Sequence, residues 1–440
     1  MNLALARNET GRALSELFAV ARARLPGAGK VAELRQKAFE AYERTGLPHR
    51  RIEDWKYTDL RVLMRDVLPL AAAPDAAVLT RAAAALKLHA IDGVRKLVLV
   101  DGVFAPKLSD LAGLEKGLAI RTLHEVLETG DALQAKLFTP EHSNPMVALN
   151  SAMMTDGVVI EVVDGAVLTE PLHIVHIASG GKPSAMFTRS SLRVGKSASA
   201  TLVESYIAAD GAKVYQVHDS LIVAIGDNAR LDHVRLTEDS REAFNISSSV
   251  VTLGAHAHFN TFGMTSGSSV SRYQVTIAFA GEGSQVETNG VNLLNGRQHA
   301  DTTLFMDHAV PRCSSREIFR SVVDDRGHSV FQGRIVVRPK AQKTDAKMMT
   351  RALLLSDEAE ADNKPELEIF ADDVTCGHGA TTGALDESLL FYLRARGLSE
   401  KEAQALLIQA FVGEAIESIV NDNLRELAVG AAERWLAARG

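Results

Sequence analysis

The sequence predicts a mainly β protein, with a β-helix (solenoid) core between N-terminal and C-terminal α-helical domains. Three observations carry this expectation. Apolar residues recur at helical spacing near both ends, β-branched alternation such as GVVIEVVDGAV fills the middle, and a glycine-led turn returns at near-constant intervals.

The first zone, residues 1–90, is rich in Ala, Leu, Arg and Glu, and the stretches ALSELFAVARARL and VAELRQKAFEAYERTG have helical spacing. Gly46 follows the second as a stop, and Pro48 opposes continuation. In GLPHRRIEDWKYTDL, Trp55 and Tyr57 sit among charges that can pair locally. The physical reading is an aromatic anchor that docks this leader onto the main body.

A mixed α/β connecting region, 91–150, leads into strand-like sequence that becomes clear after Asn150. In the core, 151–384, the turns GKSASATLVES, GDNARLDHVRL, GAHAHFNTF and GEGSQVETNG begin at Gly195, Gly226, Gly254 and Gly281, which are 31, 28 and 27 residues apart. Such a recurrence suits stacked coils that bury their apolar faces only against one another. A β-sandwich also gives many short strands, but at a spacing of about 8–12 residues it predicts no longer repeat. The last domain, 385–440, opens with a capping-box pattern at Ser399 and Glu402, followed by AQALLIQAFVGEAIESIV. Ala403, Leu406, Leu407, Ala410 and Phe411 form an apolar stripe that faces its own domain or a partner. A final helix is expected from about Asp422 to Ala438, carrying Leu424, Leu427, Ala431 and Trp435.

Composition narrows the function classes. With 46% hydrophobic and 23% charged residues the chain is globular, and 48 basic against 55 acidic residues, net −7, give no broad cationic surface for nucleic acid. Two cysteines, Cys313 and Cys376, make no disulfide framework, and no apolar run approaches the roughly 20 residues of a membrane span. The N-terminus reaches Glu9 without a long apolar stretch. A reduced, cytoplasmic protein with no membrane or nucleic-acid partner is expected.

Several motifs are incomplete. SSLRVGKS, 190–197, has Ser190 where a phosphate-binding loop needs glycine, and strand-like sequence follows it where a helix is required. His256 with His258, and His173 with His176, have no evident third or fourth metal ligand, so hydrogen-bonded histidines on β-coils are expected. Asp324 and Asp325 could be paired carboxylates of a carbohydrate-active β-helix, although secreted enzymes of that shape carry an export signal.

What remains is ADDVTCGHGAT, 371–381. Its thiol and imidazole, Cys376 and His378, fit a nucleophile with its base, two metal ligands, or core filler at a turn. Asp372 and Asp373 could orient the imidazole as hydrogen-bond acceptors, or simply close a coil. This segment and the run into it, GRIVVRPKAQKTDAKMMTRALLLSDEAEADNKPELEIFADDVTCGHGATTG, resemble the SufB/SufD family of iron–sulfur cluster assembly scaffolds. The leader GLPHRRIEDWKYTDL is most similar to the SufD branch, and no cysteine precedes Cys313.

The resemblance implies a right-handed parallel β-helix and a non-enzymatic scaffold subunit that pairs with a SufB-like paralogous subunit. It also implies a SufC-like ABC ATPase docked on the C-terminal region, for which Leu406, Leu407, Ala410 and Phe411 are the candidate contacts. His378 matches the family position that faces the paired scaffold and helps hold a nascent iron–sulfur cluster, and Cys376 matches a family cysteine. A transient cluster shared with the partner is expected because two cysteines cannot supply four thiolates. Reduced flavin in the complex, and a homodimer when the chain is isolated, complete these expectations. A purely architectural subunit that ligates no iron stays open beside them.

Overall fold

The computed structural model describes residues 3–129, 137–138 and 144–439, so part of the connecting region lies outside the described residues. Strands from Val158–Val162 and Leu172–Ala178 onward alternate between two facing sheets, ending at Glu360–Ile369 and Thr375–Gly383. Each coil adds one strand to each sheet, and eight coils stack with parallel pairing throughout. Arg95–Val100 extends one sheet in parallel fashion, whereas Val103–Phe104 and Leu118–Thr122 add antiparallel ribbons at the N-terminal end.

The glycine-led turns form one corner of the solenoid, as their spacing predicts. A Cβ on Gly226 would meet the Gly195 carbonyl carbon at 2.9 Å, one on Gly254 the Gly226 carbonyl carbon at 2.9 Å, and one on Gly281 the Ala255 nitrogen at 2.0 Å. These glycines are required by the close approach of stacked backbones. The left-handed conformation falls two residues later, at Ser197, Asn228, His256 and Gly283, with φ of 55°, 56°, 53° and 72°. His256 therefore occupies a turn position, not the strand position its alternation with His258 predicts. The false phosphate loop likewise runs from a strand through this corner into another strand, and Lys196 pairs with Asp227 at 2.8 Å.

The leader forms helices Leu3–Ala21 and Lys30–Thr45, and the Gly46 N–H donates to the Tyr42 carbonyl at 2.7 Å. The anchor expected in GLPHRRIEDWKYTDL is present. Trp55 is buried against the guanidinium of Arg272, and Thr58 hydrogen-bonds Asp301 and the His299 ring.

At the other end, the capping box of Ser399 and Glu402 starts the helix Glu400–Ile416, and a last helix spans Asp422–Ala438. Ile408, Val412, Ala415, Ile416 and Trp435 pack on Val234, Leu236, Phe262, Met264, Val291 and Leu293, on the outer face of the longer sheet. These helices thus cover the flank of the solenoid and do not cap its end. Among the described residues, no helix is long and apolar enough to cross a membrane.

Inside the coils, one half of the lumen is apolar, built from rows such as Ile174, Leu202, Leu221 and Val223. The other half holds buried polar side chains, among them Glu204, Asp219, His233 and Arg235.

Candidate functional site

The last coil is the exposed one. Glu360–Ile369 and Thr375–Gly383 are the outermost strands of the two sheets, and almost all their residues are exposed or half-buried, where earlier strands are mostly buried. An uncovered strand edge presents unpaired N–H and C=O groups, which proteins normally blunt or cover.

His378 lies within this terminal strand, not on a tight turn. Neither Gly377 nor Gly379 has a positive φ, and a Cβ on Gly379 would strike Met349 Cε at 2.7 Å. Register pairs Cys376 with Ala346 and His378 with Met348, both inward-facing core residues. Alternation along a strand then places Cys376 and His378 on the same, inward face. Cys376 is half-buried on the apolar core, while His378 is exposed because no further coil covers it. Opposite them, Asn363 bridges the facing sheets, accepting from the Thr350 hydroxyl at 2.7 Å and donating to Thr382 Oγ1 at 3.2 Å.

The thiol is not activated. Burial pushes Cys376 above the ordinary thiol range, and nearby Asp345 and Glu317 add to the rise against one opposing backbone hydrogen bond. A nucleophile would need the reverse shift, whereas a bound soft metal could displace the proton itself. An imidazole nitrogen and a thiol two residues apart on one strand face can approach a common metal centre.

Of the two roles open to Asp372 and Asp373, the structure shows the closing of a coil. Asp373 pairs with Lys343, and its N–H donates to Gln342 Oε1 at 2.9 Å, so it ties the coil turn to the preceding one. Asp372 is exposed in the same turn. The strand carries His378 about 10 Å beyond Thr375, away from both carboxylates. Asp324 is likewise taken by Arg439, and Asp325 occupies a left-handed turn position. Cys313 is buried at a corner.

The expected partner stripe is divided. Leu406 and Ala410 face solvent, Leu407 is half-buried, and Phe411 packs towards the core with Arg320 5.6 Å from its ring centroid. Further exposed apolar side chains lie on a neighbouring helix that periodicity did not single out. Glu387–Ala395 buries none of its residues and exposes Leu389, Phe391 and Tyr392, with Phe370 exposed at the end of the last coil.

An eight-coil solenoid with flanking helices, a thiol and an imidazole at its open end, has the build of a scaffold protein. The chain belongs to the SufB/SufD family of iron–sulfur cluster assembly proteins. Residues 176–411 match the family described as SUF system FeS cluster assembly, SufBD core domain, and 10–174 match the SufBD protein N-terminal region. The chain is 31% identical over 394 residues to the iron-sulfur cluster assembly protein SufD of Escherichia coli, covering 89% of this chain and 90% of that one. It is 30% identical over 400 residues to an iron-sulfur cluster assembly SufBD family protein of Synechocystis, covering 88% and 86%. A third relative, the chloroplastic protein ABCI7 of Arabidopsis thaliana, is 30% identical over 290 residues.

Proposed function

We propose that this chain is one half of a two-chain scaffold that builds and transfers an iron–sulfur cluster. It would pair through the open end of its solenoid with a SufB-like paralogous subunit in the cytoplasm. The observation that carries the proposal is His378, exposed on the terminal strand with Cys376 beside it on the same face. One imidazole and one thiol make half a site for a cluster that takes four ligands, and the remaining donors would come from the partner. The cluster is cargo. In an isolated preparation the same uncovered edge would accept a second copy as a homodimer.

Hydrolysis of ATP belongs to a SufC-like ABC ATPase in this proposal, because the one near-match to a phosphate loop is a strand corner. Its docking surface is the outward side of the C-terminal helices, where Leu406 and Ala410 adjoin the exposed face of Glu387–Ala395. We assign the reduced flavin no residues of this chain.

The test is iron and acid-labile sulfide in the co-purified complex, compared between the native chain, His378→Ala and Cys376→Ser. His378→Ala is expected to assemble normally and carry less than half the native iron and sulfide. A His378→Ala complex with full iron and sulfide would leave this chain a purely architectural subunit.

A further inference from the structure

His176, dismissed as a ligand because no third donor is evident near it in sequence, meets two carboxylates inside the solenoid. It lies in the strand Leu172–Ala178, Glu204 one coil later in the strand Ser199–Ala208, and Asp219 on the facing sheet in Tyr215–Ile225. One ligand atom from each falls within 4.8 Å of the others, and all three side chains are buried. Around a cation with bonds of about 2.1 Å, neighbouring donors stand roughly 3–4 Å apart, so a contraction of up to about 1–2 Å would close the shell.

The surroundings leave donor capacity unspent. Nε2 of His176, a residue 8% exposed, has no hydrogen-bond partner among the described residues, although its ring is held in place by stacking on Tyr206 at 4.4 Å. Leaving such an atom unpaired costs on the order of 1–3 kcal/mol unless something binds it. Glu204 pairs through Oε2 with His233 at 3.0 Å, while its Oε1 has only a 3.5 Å contact from the Tyr206 hydroxyl. Asp219 accepts from Thr188 and, at 2.8 Å, from the Tyr206 hydroxyl, and each oxygen keeps a lone pair. Behind Glu204, His233 Nδ1 pairs with Thr261 at 2.9 Å, the kind of outer hydrogen bonding that fixes metal ligands. A small cavity bounded by His176, Thr188, Met186 and Gly102 adjoins the cluster.

We propose that the solenoid interior holds one divalent first-row transition-metal ion between His176, Glu204 and Asp219, separate from the open end that carries His378. One imidazole nitrogen and two carboxylates form a borderline donor set that suits Zn²⁺, Mn²⁺ or Fe²⁺. The ion cross-links both sheets across successive coils. It would therefore act as a structural clamp within the N-terminal half of the solenoid.

The test uses the full chain carrying Cys376→Ser and His378→Ala, which removes the other candidate donors. The protein is stripped with chelator, then incubated with Zn²⁺ either natively or during refolding from urea, desalted, and its bound zinc measured. About one zinc per chain is expected in at least one of the two preparations, with a raised thermal midpoint. Adding His176→Gln or Asp219→Asn should reduce retained zinc at least tenfold. No retained zinc by either route, or full retention in both added variants, overturns the proposal. Should neither variant fold, as judged by circular dichroism, Co²⁺ loaded into the parent decides. Visible ligand-field bands support a nitrogen–oxygen site, and their absence sinks it.

Discussion

The Arg272 guanidinium lies 3.9 Å from the centroid of the Trp55 ring, joining the leader to the outer face of the shorter sheet. Both side chains are buried, and Arg272 is also paired with Asp301 and with the carbonyl of Asp54. A guanidinium out of water needs this combination of cation–π contact and ion pair. Trp55→Ala removes the ring and opens a cavity under the charge, for an expected loss of about 3–5 kcal/mol. Denaturant midpoints should report that loss. Limited proteolysis should show the leader cut first, and Trp55→Phe should recover part of the stability.

Acid should unfold the chain through its interior histidines. Burial lowers His173 to about 3 and His218, His299 and His308 to about 4. Between roughly pH 6.5 and 4 the unfolded chain binds protons that the folded chain refuses, so stability rises with pH and is lost on acidification. Each group costs the folded state on the order of 3 kcal/mol at the bottom of that window, and the four together are comparable to a typical stability of about 5–15 kcal/mol. A cooperative transition between about pH 6 and 4 is expected in circular dichroism. The leader should loosen with it, because His299 also holds Thr58 at 2.9 Å. Stability unchanged down to pH 4 would contradict this account.

Glu317 works in the opposite sense. Burial pushes its carboxyl up to about 8 against smaller effects of Ser315 and Arg316, and among the described residues neither oxygen has a hydrogen bond of good geometry. Here the folded state keeps a proton that the unfolded state gives up, so stability falls as pH rises from about 4.5 to 8. Glu317→Gln has the shape of the protonated acid and no proton to lose. It should match the native chain near pH 5 and be more stable by about 3 kcal/mol at pH 8. Urea melts at the two pH values test both halves of this expectation.

The corner ladder should tolerate no side chain. At Gly281 an added Cβ would sit 2.0 Å from the Ala255 nitrogen and 2.3 Å from the Gly254 carbonyl carbon, and neither backbone atom can rotate away. Gly281→Ala should lower the yield of soluble protein and its melting temperature. Gly296→Ala, at a glycine with open space around it but a φ of 64°, should cost only the backbone strain of about 1 kcal/mol.

The architecture was legible because its causes are local or periodic. The 31-, 28- and 27-residue recurrence from Gly195 to Gly281 reflects coil length, and the capping box at Ser399 and the leader's helical spacing are short-range signals. The same holds for Trp55, whose ring area among charges marks an anchor without reference to Arg272. The segment around Cys376 and His378 was conspicuous because thiol and imidazole stand two residues apart on one strand.

Stacking decided the rest. His176, Glu204 and Asp219 meet only because parallel register and the facing sheet superpose residues from successive coils, and no local spacing encodes which sheet faces which. Asp373 turned to Lys343 on the preceding coil and not to His378 for the same reason. The C-terminal helices lie along the flank because the longer sheet offers an apolar outer face from Val234 to Leu293. That leaves the last coil uncovered. The apolar run of Glu400–Ile416 specified that something is buried, but which residues are, Ile408 and Val412 and not Leu406 and Ala410, is set by strands more than a hundred residues earlier in the chain.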